Sequence, residues 1–291
     1  MDSENIVIIL NQSNVVPDSG NSIYRYDFKN DVEFNETDKV AISQINIYNS
    51  WFNIHQQYYN NAQFQYIWFD SNGDLNDTFT VTIPDGYYSS KTLNEFLHTK
   101  LYANGHYLIN TETSKVVYHF EILVNATYYS EQLNVYPMVS DISGYAMPAG
   151  ATWDLPNADT TPQFIVLDNG FSKLIGFNPG TYPVTPSSSN QSYLSQFAPT
   201  MEPVSNVNVL ASLINNQMSY PINLLTGFTA NNTMFGDLIS VNPSYPLYLN
   251  INAGKYSYIQ LEFLDQDFRR IPIKDSQVNI MLSIIKTKSK K

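Results

Sequence analysis

Apolar and polar positions alternate with a period of two along much of the chain. Phe79, Val81 and Ile83 alternate with Thr78, Thr80 and Thr82. The same spacing holds for Val116, Tyr118, Phe120, Ile122 and Val124, and for Leu247, Leu249 and Ile251. It returns in Ile259, Leu261 and Phe263, and in Val278, Ile280, Leu282 and Ile284. Successive side chains of a strand point to opposite faces, so each run predicts a strand with one buried side. Over Val40–Ile47 the phase slips by one between Ile42 and Ile45. A β-bulge near Ser43-Gln44 accounts for the slip. Turn signals break the runs at Asn72-Gly73, Pro84-Asp85-Gly86, Asn169-Gly170, Pro179-Gly180 and Ala253-Gly254. Many short strands with frequent turns predict a β-sandwich or jelly roll.

One stretch departs from that period. From Lys91 to Tyr102, Leu93, Phe96, Leu97 and Leu101 form a single stripe at helical spacing, with Ser89 or Ser90 to cap the start and Gly105 past the end. A shorter helical turn is expected at Phe171–Ile175. Residues 140–162 and 183–203 show little periodicity and read as long loops.

Composition narrows the function classes. The 291 residues include 15 basic and 26 acidic ones, for a net charge of −11. Only 14% are charged, against about 25% in an average soluble protein. Neutral polar residues fill the difference, with 33 Asn, 28 Ser and 19 Thr beside 22 Tyr. Cysteine is absent, which excludes disulfides, thiolate metal sites and cysteine nucleophiles. The acidic balance argues against a general nucleic-acid binder. The longest clean apolar runs, such as Ile6–Leu10, are far below the roughly 20 residues of a membrane span. Met1-Asp2-Ser3-Glu4 lacks the basic start of a signal peptide, so intracellular synthesis is expected. The basic residues are unevenly placed. Lys286, Lys288, Lys290 and Lys291 hold 4 of the 15, leaving 11 basic against 26 acidic elsewhere. This tail reads either as a contact for the genome or an acidic partner, or as a solvated end.

No catalytic set, cofactor site or metal site emerges. His55, His98, His106 and His119 form no ligand pair and read as ordinary surface or structural residues, with His119 on the strand face opposite Tyr118 and Phe120. No nucleophile elbow, phosphate loop or dinucleotide fingerprint is present. Asp70-Ser71-Asn72-Gly73-Asp74 suggests calcium, but its Gly stands fourth and Val81 occupies the twelfth position where a Glu is required. The segment reads instead as a hairpin turn, with Asn72-Gly73 supplying positive φ. Six Asn-x-Ser/Thr sequons, at Asn11, Asn35, Asn76, Asn125, Asn190 and Asn231, match the roughly five expected by chance. Asp265-Gln266-Asp267 with Arg269-Arg270 reads as a surface ion-pair set at a turn. The pairs Tyr58-Tyr59, Tyr87-Tyr88 and Tyr128-Tyr129 suit interfaces or carbohydrate surfaces, and equally suit strands.

Several segments together resemble a known family. Thr78 to Ser89, reading Thr-Phe-Thr-Val-Thr-Ile-Pro-Asp-Gly-Tyr-Tyr-Ser and followed by the helix from Lys91, is similar to the "strand, Pro-x-Gly-Tyr-Tyr, helix" unit of penton (minor capsid) proteins of virophages and polinton-like viruses. Lys39–Trp51 resembles their early strand, and Lys173–Gly180 their Leu-Gly-Phe loop. Phe263–Asp267 and Val278–Ile284 resemble the end of their jelly roll, and all these segments occur in the family's order.

The resemblance implies a mainly β protein, a single jelly-roll β-sandwich with a large inserted β-rich region containing one short helix. The roll is expected in residues 1–75 plus 200–291, with 76–199 inserted. The implied role is structural and not enzymatic, as a virion homopentamer closing the five-fold vertices of an icosahedral capsid. Its implied partners are major capsid protein trimers of double jelly rolls and other minor capsid proteins, with assembly in the host cytoplasm. A host-surface receptor is a further expected partner, since the alternative reading is a carbohydrate- or receptor-binding β-sandwich module. A β-sandwich hydrolase is the remaining competitor, and no motif points to it.

Overall fold

The alternating runs fold as antiparallel strands in a computed structural model that describes residues 3–230 and 233–287. The chain divides into two units, one of Met1–Phe52 with Val204–Lys291, the other of Asn53–Pro203. The first unit opens with β1 (Ser3–Asn11), β2 (Ile23–Phe34) and β3 (Lys39–Tyr48). The second holds α1 (Gln56–Tyr59), β4 (Gln63–Phe69), β5 (Leu75–Thr82), α2 (Ser90–Ala103), β6 (Leu108–Asn110), β7 (Val116–Val117) and β8 (Phe120–Asn125). It continues with β9 (Ser130–Val135), β10 (Tyr145–Ala146), β11 (Gln163–Val166), α3 (Gly170–Ile175), β12 (Gly180–Tyr182) and β13 (Gln191–Leu194). The first unit then resumes with β14 (Val207–Ala211), β15 (Leu224–Phe228), β16 (Leu238–Val241), β17 (Leu249–Asn250), β18 (Gly254–Leu264) and β19 (Asn279–Thr287).

In the first unit the sheet orders are β1-β19-β3-β16, with β17 also on β3, and β15-β14-β18-β2. Setting β17 aside leaves eight strands, and their pairing nests from the outside in. The first pairs with the eighth (β1 with β19) and the second with the seventh (β2 with β18). The third pairs with the sixth (β3 with β16) and the fourth with the fifth (β14 with β15). One long antiparallel hairpin rolled into two sheets gives this order, and that is a jelly roll. Both sheets turn their apolar faces into one core. Ile8 and Leu10 of β1, Val40 and Ile45 of β3, Val207 and Val209 of β14, and Leu261 and Phe263 of β18 are buried there. The expected bulge is present. Gln44 lies opposite Met281 and Ile42 opposite Leu282, so no residue of β19 stands opposite Ser43, whose hydroxyl donates to the Met281 carbonyl (3.0 Å), and Ile42 and Ile45 both reach the core.

The second unit occupies the connection between the third and fourth strands of the roll. Its sheets are β12-β11-β4-β5, β13-β9-β8 and β10-β6-β7. The helix α2 starts where Ser89 Oγ accepts a hydrogen bond from Thr92 N (3.2 Å) and ends before Gly105, whose φ is +70°. Leu93, Leu97 and Leu101 are fully buried, as the stripe predicts. The core continues through Phe64, which stacks on Phe164 (4.9 Å) and on Phe171 of α3 (5.2 Å).

Four expectations change. The unit boundary falls between Phe52 and Asn53 rather than near 75, because β4 pairs with β5 and β11 of the second unit. On the other side, the roll resumes at Val204. Besides α2 and the expected shorter turn, which is α3, the second unit has α1 among its described residues, a helix with no apolar stripe that alternation could reveal. The run Val116–Val124 is not one strand. It breaks at Tyr118-His119 into β7 and β8, and His119 turns inward.

Candidate functional site

The residue types most often used for chemistry are occupied by structural tasks. His106 is buried with Nδ1 2.8 Å from the Tyr66 hydroxyl, and its ring stacks on Trp68 at 4.9 Å. His98 stacks on Tyr118 at 4.0 Å and places Nε2 2.9 Å from the Phe120 carbonyl. His119 is buried with Nδ1 3.2 Å from the Tyr136 carbonyl. Burial pushes the imidazoles of His106 and His119 down to about 4, and lowers that of His98. His55 Nδ1 lies 3.4 Å from Asp85 Oδ2. Among the described residues no three His, Asp or Glu side chains gather as a metal site.

The Asp70 segment is a turn between paired strands, Phe69 of β4 standing opposite Leu75 of β5. Asp70 Oδ1 accepts from the amides of Asn72 (2.7 Å) and Asp74 (3.1 Å), and Oδ2 accepts from Asn76 Nδ2 (2.9 Å). These bonds lower the Asp70 carboxyl below its ordinary range, the Asn76 amide foremost. Positive φ is needed at Gly73 alone (+78°), not at Asn72. At the Asp265 turn the ion pairs form as read from sequence, with one addition. Asp265 is buried, and its carboxylate accepts from the amides of Asp267 (2.8 Å) and Arg269 (2.9 Å) and from Arg269 Nε (3.0 Å). Arg270 Nε meets Glu262 at 2.6 Å.

The Pro-Asp-Gly-Tyr-Tyr segment anchors the start of the second unit. Gly86 and Ile54 exchange backbone hydrogen bonds of 2.9 and 3.0 Å. Asn53 accepts from Tyr88 N (2.8 Å) and donates to the carbonyls of Tyr88 (2.7 Å) and Met201 (2.9 Å). One buried amide therefore joins the first and last stretches of that unit. Tyr87 hydrogen-bonds Glu202. Tyr128 and Tyr129 remain exposed at 68% and 76%. Of the terminal lysines, Lys286 holds its Nζ 5.5 Å from the centre of the Phe34 ring. Lys288, Lys290 and Lys291 lie outside the described residues.

The surfaces suited to assembly are the lateral edges of the roll. The sheets end in β1 and β2 at one edge and in β15 and β16 at the other. At the first edge Val7 and Ile9 are exposed on β1. At the second, Leu238 on β16 is exposed, together with Met234, Tyr245 and Leu247 of the flanking loops and Tyr220 and Ile222 ahead of β15. From Val204 to Gly254 the sequence holds one charged residue, Asp237. Sequence reading noted the scarcity of charge across the chain but not its concentration on this edge, since only the sheet order brings the segment together there.

Comparison with known proteins adds likenesses of shape. No family model and no curated protein matches the chain. Among solved structures, the chain is similar to the mavirus penton protein, at 11% identity and a TM-score of 0.42, covering 99% of this chain and 100% of that one. It is also similar to a chain of the Sputnik virophage structure, at 12% identity and a TM-score of 0.40, covering 98% of each. No helix among the described residues is long and apolar enough to cross a membrane.

Proposed function

We propose that this chain is a structural capsid protein whose jelly roll forms a homopentamer at the five-fold vertices of an icosahedral virion. The observation that carries the reading is the nested pairing of first strand with eighth through fourth with fifth, with a second unit set into the third connection. Jelly rolls serve in viral capsids and in lectins, and fold alone does not choose between them. Two features favour the capsid. The first is the ordered set of penton-like segments in the sequence. The second is the chemistry of one edge of the roll, that of β15 and β16. A ring of copies makes a head-to-tail contact between two different surfaces. An uncharged edge rich in Tyr, Leu and Met costs little to desolvate and matches the charge-poor, aromatic- and Met-enriched centre of interfaces. In this reading the edge of β15 and β16 meets the edge of β1 and β2 on the next copy. Major capsid trimers of double jelly rolls and other minor capsid proteins are the neighbours in the shell, and assembly takes place in the host cytoplasm. The protein acts without catalysis. The tail of Lys286, Lys288, Lys290 and Lys291 contacts the genome or an acidic neighbour.

Native mass measurement of the purified chain tests the reading. A species at five times 33.1 kDa is expected. A protein that stays monomeric alone and is also absent from the vertices of particles overturns it. Deleting residues 288–291 tests the tail: lower genome packaging or vertex occupancy is expected, and unchanged particles refute that role.

A further inference from the structure

A cleft of about 360 Å³ opens within the second unit, between β6, β7 and β10, with Asn190 of the loop before β13 at its rim. Tyr118, Tyr136 and Tyr145 line it, beside His119 and an apolar wall that includes Leu108. The volume sits at the lower end of the roughly 300–1,000 Å³ of small-molecule sites. Two of its aromatic rings, those of Tyr118 and Tyr136, are held in place. The face of Tyr118 stacks on His98 at 4.0 Å, and the Tyr136 hydroxyl donates to Glu121 Oε2 at 2.8 Å. Other polar groups there are unspent. The hydroxyls of Tyr118 and Tyr145 and the side-chain amide of Asn190 have no hydrogen-bond partner among the described residues.

We propose that this cleft binds a neutral sugar, one ring or two, against its tyrosine faces. Three exclusions lead to that class. A purely apolar ligand would strip water from two hydroxyls and an amide and return no hydrogen bond, which is unfavourable for each group. An anionic or cationic ligand would find no counter-charge, since no lining residue is charged near neutral pH. His119, the one titratable imidazole of the lining, is kept neutral by burial, with its value pushed down to about 4. A neutral sugar has C–H faces for aromatic rings and hydroxyls for the phenol and amide groups. Rings already held in place lose little freedom on binding, which favours affinity. The site lies wholly within the second unit, so the inference does not depend on the capsid reading.

Saturation-transfer NMR and calorimetry on the full chain test it. The probes are glucose, galactose, mannose, fucose, N-acetylglucosamine and N-acetylgalactosamine, with N-acetylneuraminic acid as the charged control. At least one neutral sugar is expected to bind with a Kd on the order of 0.1–10 mM, and the acid is not. Asn190→Ala and Tyr145→Ala are each expected to weaken binding about tenfold or more with an unchanged melting temperature. If Tyr145→Ala does not fold, the double variant Tyr145→Phe/Asn190→Ala, which keeps the ring, replaces it with the same expected loss. Three results each overturn the proposal: no neutral sugar bound at about 10 mM, binding of the acid alone, or binding that the substitutions leave intact.

Discussion

Asp38 Oδ1 accepts a hydrogen bond of 2.8 Å from the backbone amide of Thr287, the last residue of β19. The other oxygen of the same buried carboxylate accepts from Asn35 N at 2.9 Å. One side chain thus shapes the turn between β2 and β3 and fastens the strand that closes the roll. Asp38→Ala leaves two amides without their acceptor, for an expected loss of about 1–3 kcal/mol for each group left buried. Urea unfolding measures it, and a loss below about 0.5 kcal/mol contradicts this role.

The buried histidines give the second unit a defined acid sensitivity. His106 and His119 have folded values near 4 against an ordinary 6.5. The unfolded chain therefore binds protons that the folded one refuses. Stability is complete above pH 6.5, falls as pH drops from there toward 4, and then levels off. Each histidine contributes on the order of 2–3 kcal/mol to that fall. Calorimetric scans between pH 7 and 4 check it. His106→Gln and His119→Gln are expected to flatten the profile, and an unchanged slope in both counts against the assignment.

Glu131 has the opposite slope. Burial raises its carboxyl, Ser90 Oγ donates to Oε1 at 2.6 Å, and Oε2 has no partner among the described residues. A raised folded value means that its stabilisation is present in acid and is lost as pH rises past the carboxylate range. Glu131→Gln removes the charge while keeping an acceptor for Ser90. It is expected to raise the melting temperature by a few degrees at pH 7, with no gain near pH 4. A lower melting temperature at pH 7 rejects this account.

Gly176 ends α3 at φ +76°, and a Cβ there would collide with the Phe197 carbonyl oxygen. Gly176→Ala therefore adds both backbone strain and a clash with main chain. An expected cost of at least about 2 kcal/mol follows, read by chemical denaturation. A cost within about 0.5 kcal/mol removes the steric reason for glycine in the Leu-Gly-Phe loop.

The uncharged edge of the roll yields an assembly variant. Leu238 and Tyr245 are 48% and 94% exposed, so neither supports the core of its own chain. Leu238→Lys with Tyr245→Asp is expected to leave melting of the subunit unchanged and to convert the five-fold mass to monomer. A pentamer that persists moves the contact to another surface.

The sequence carried local geometry further than partnership. The slip between Ile42 and Ile45 located a bulge to within two residues, because the period of two records which face each side chain takes. The Ser89 cap and the Leu93–Leu101 stripe did the same for α2. Alternation in Gln63–Phe69, by contrast, is silent about which strand lies alongside, and the boundary near 75 followed from that silence. The run Val116–Val124 misled for a related reason: period alone does not show that His119 fills a core, since imidazole reads as polar. The cleft beside it was not legible at all. Its tyrosines come from three separate strand ends, and only the fold assembles them.

The nested strand pairing also sets an order of events during synthesis. Ser3 finds its partner in Thr287, so β1 leaves the ribosome with almost the whole chain still to be made. At roughly 5–20 residues per second it waits on the order of 15–60 s. The unit from Asn53 to Pro203 is uninterrupted in sequence and emerges complete in that interval. The inserted unit is thus the first in line to fold, and the roll, with the edges offered to neighbouring copies, takes shape only once β19 has been made.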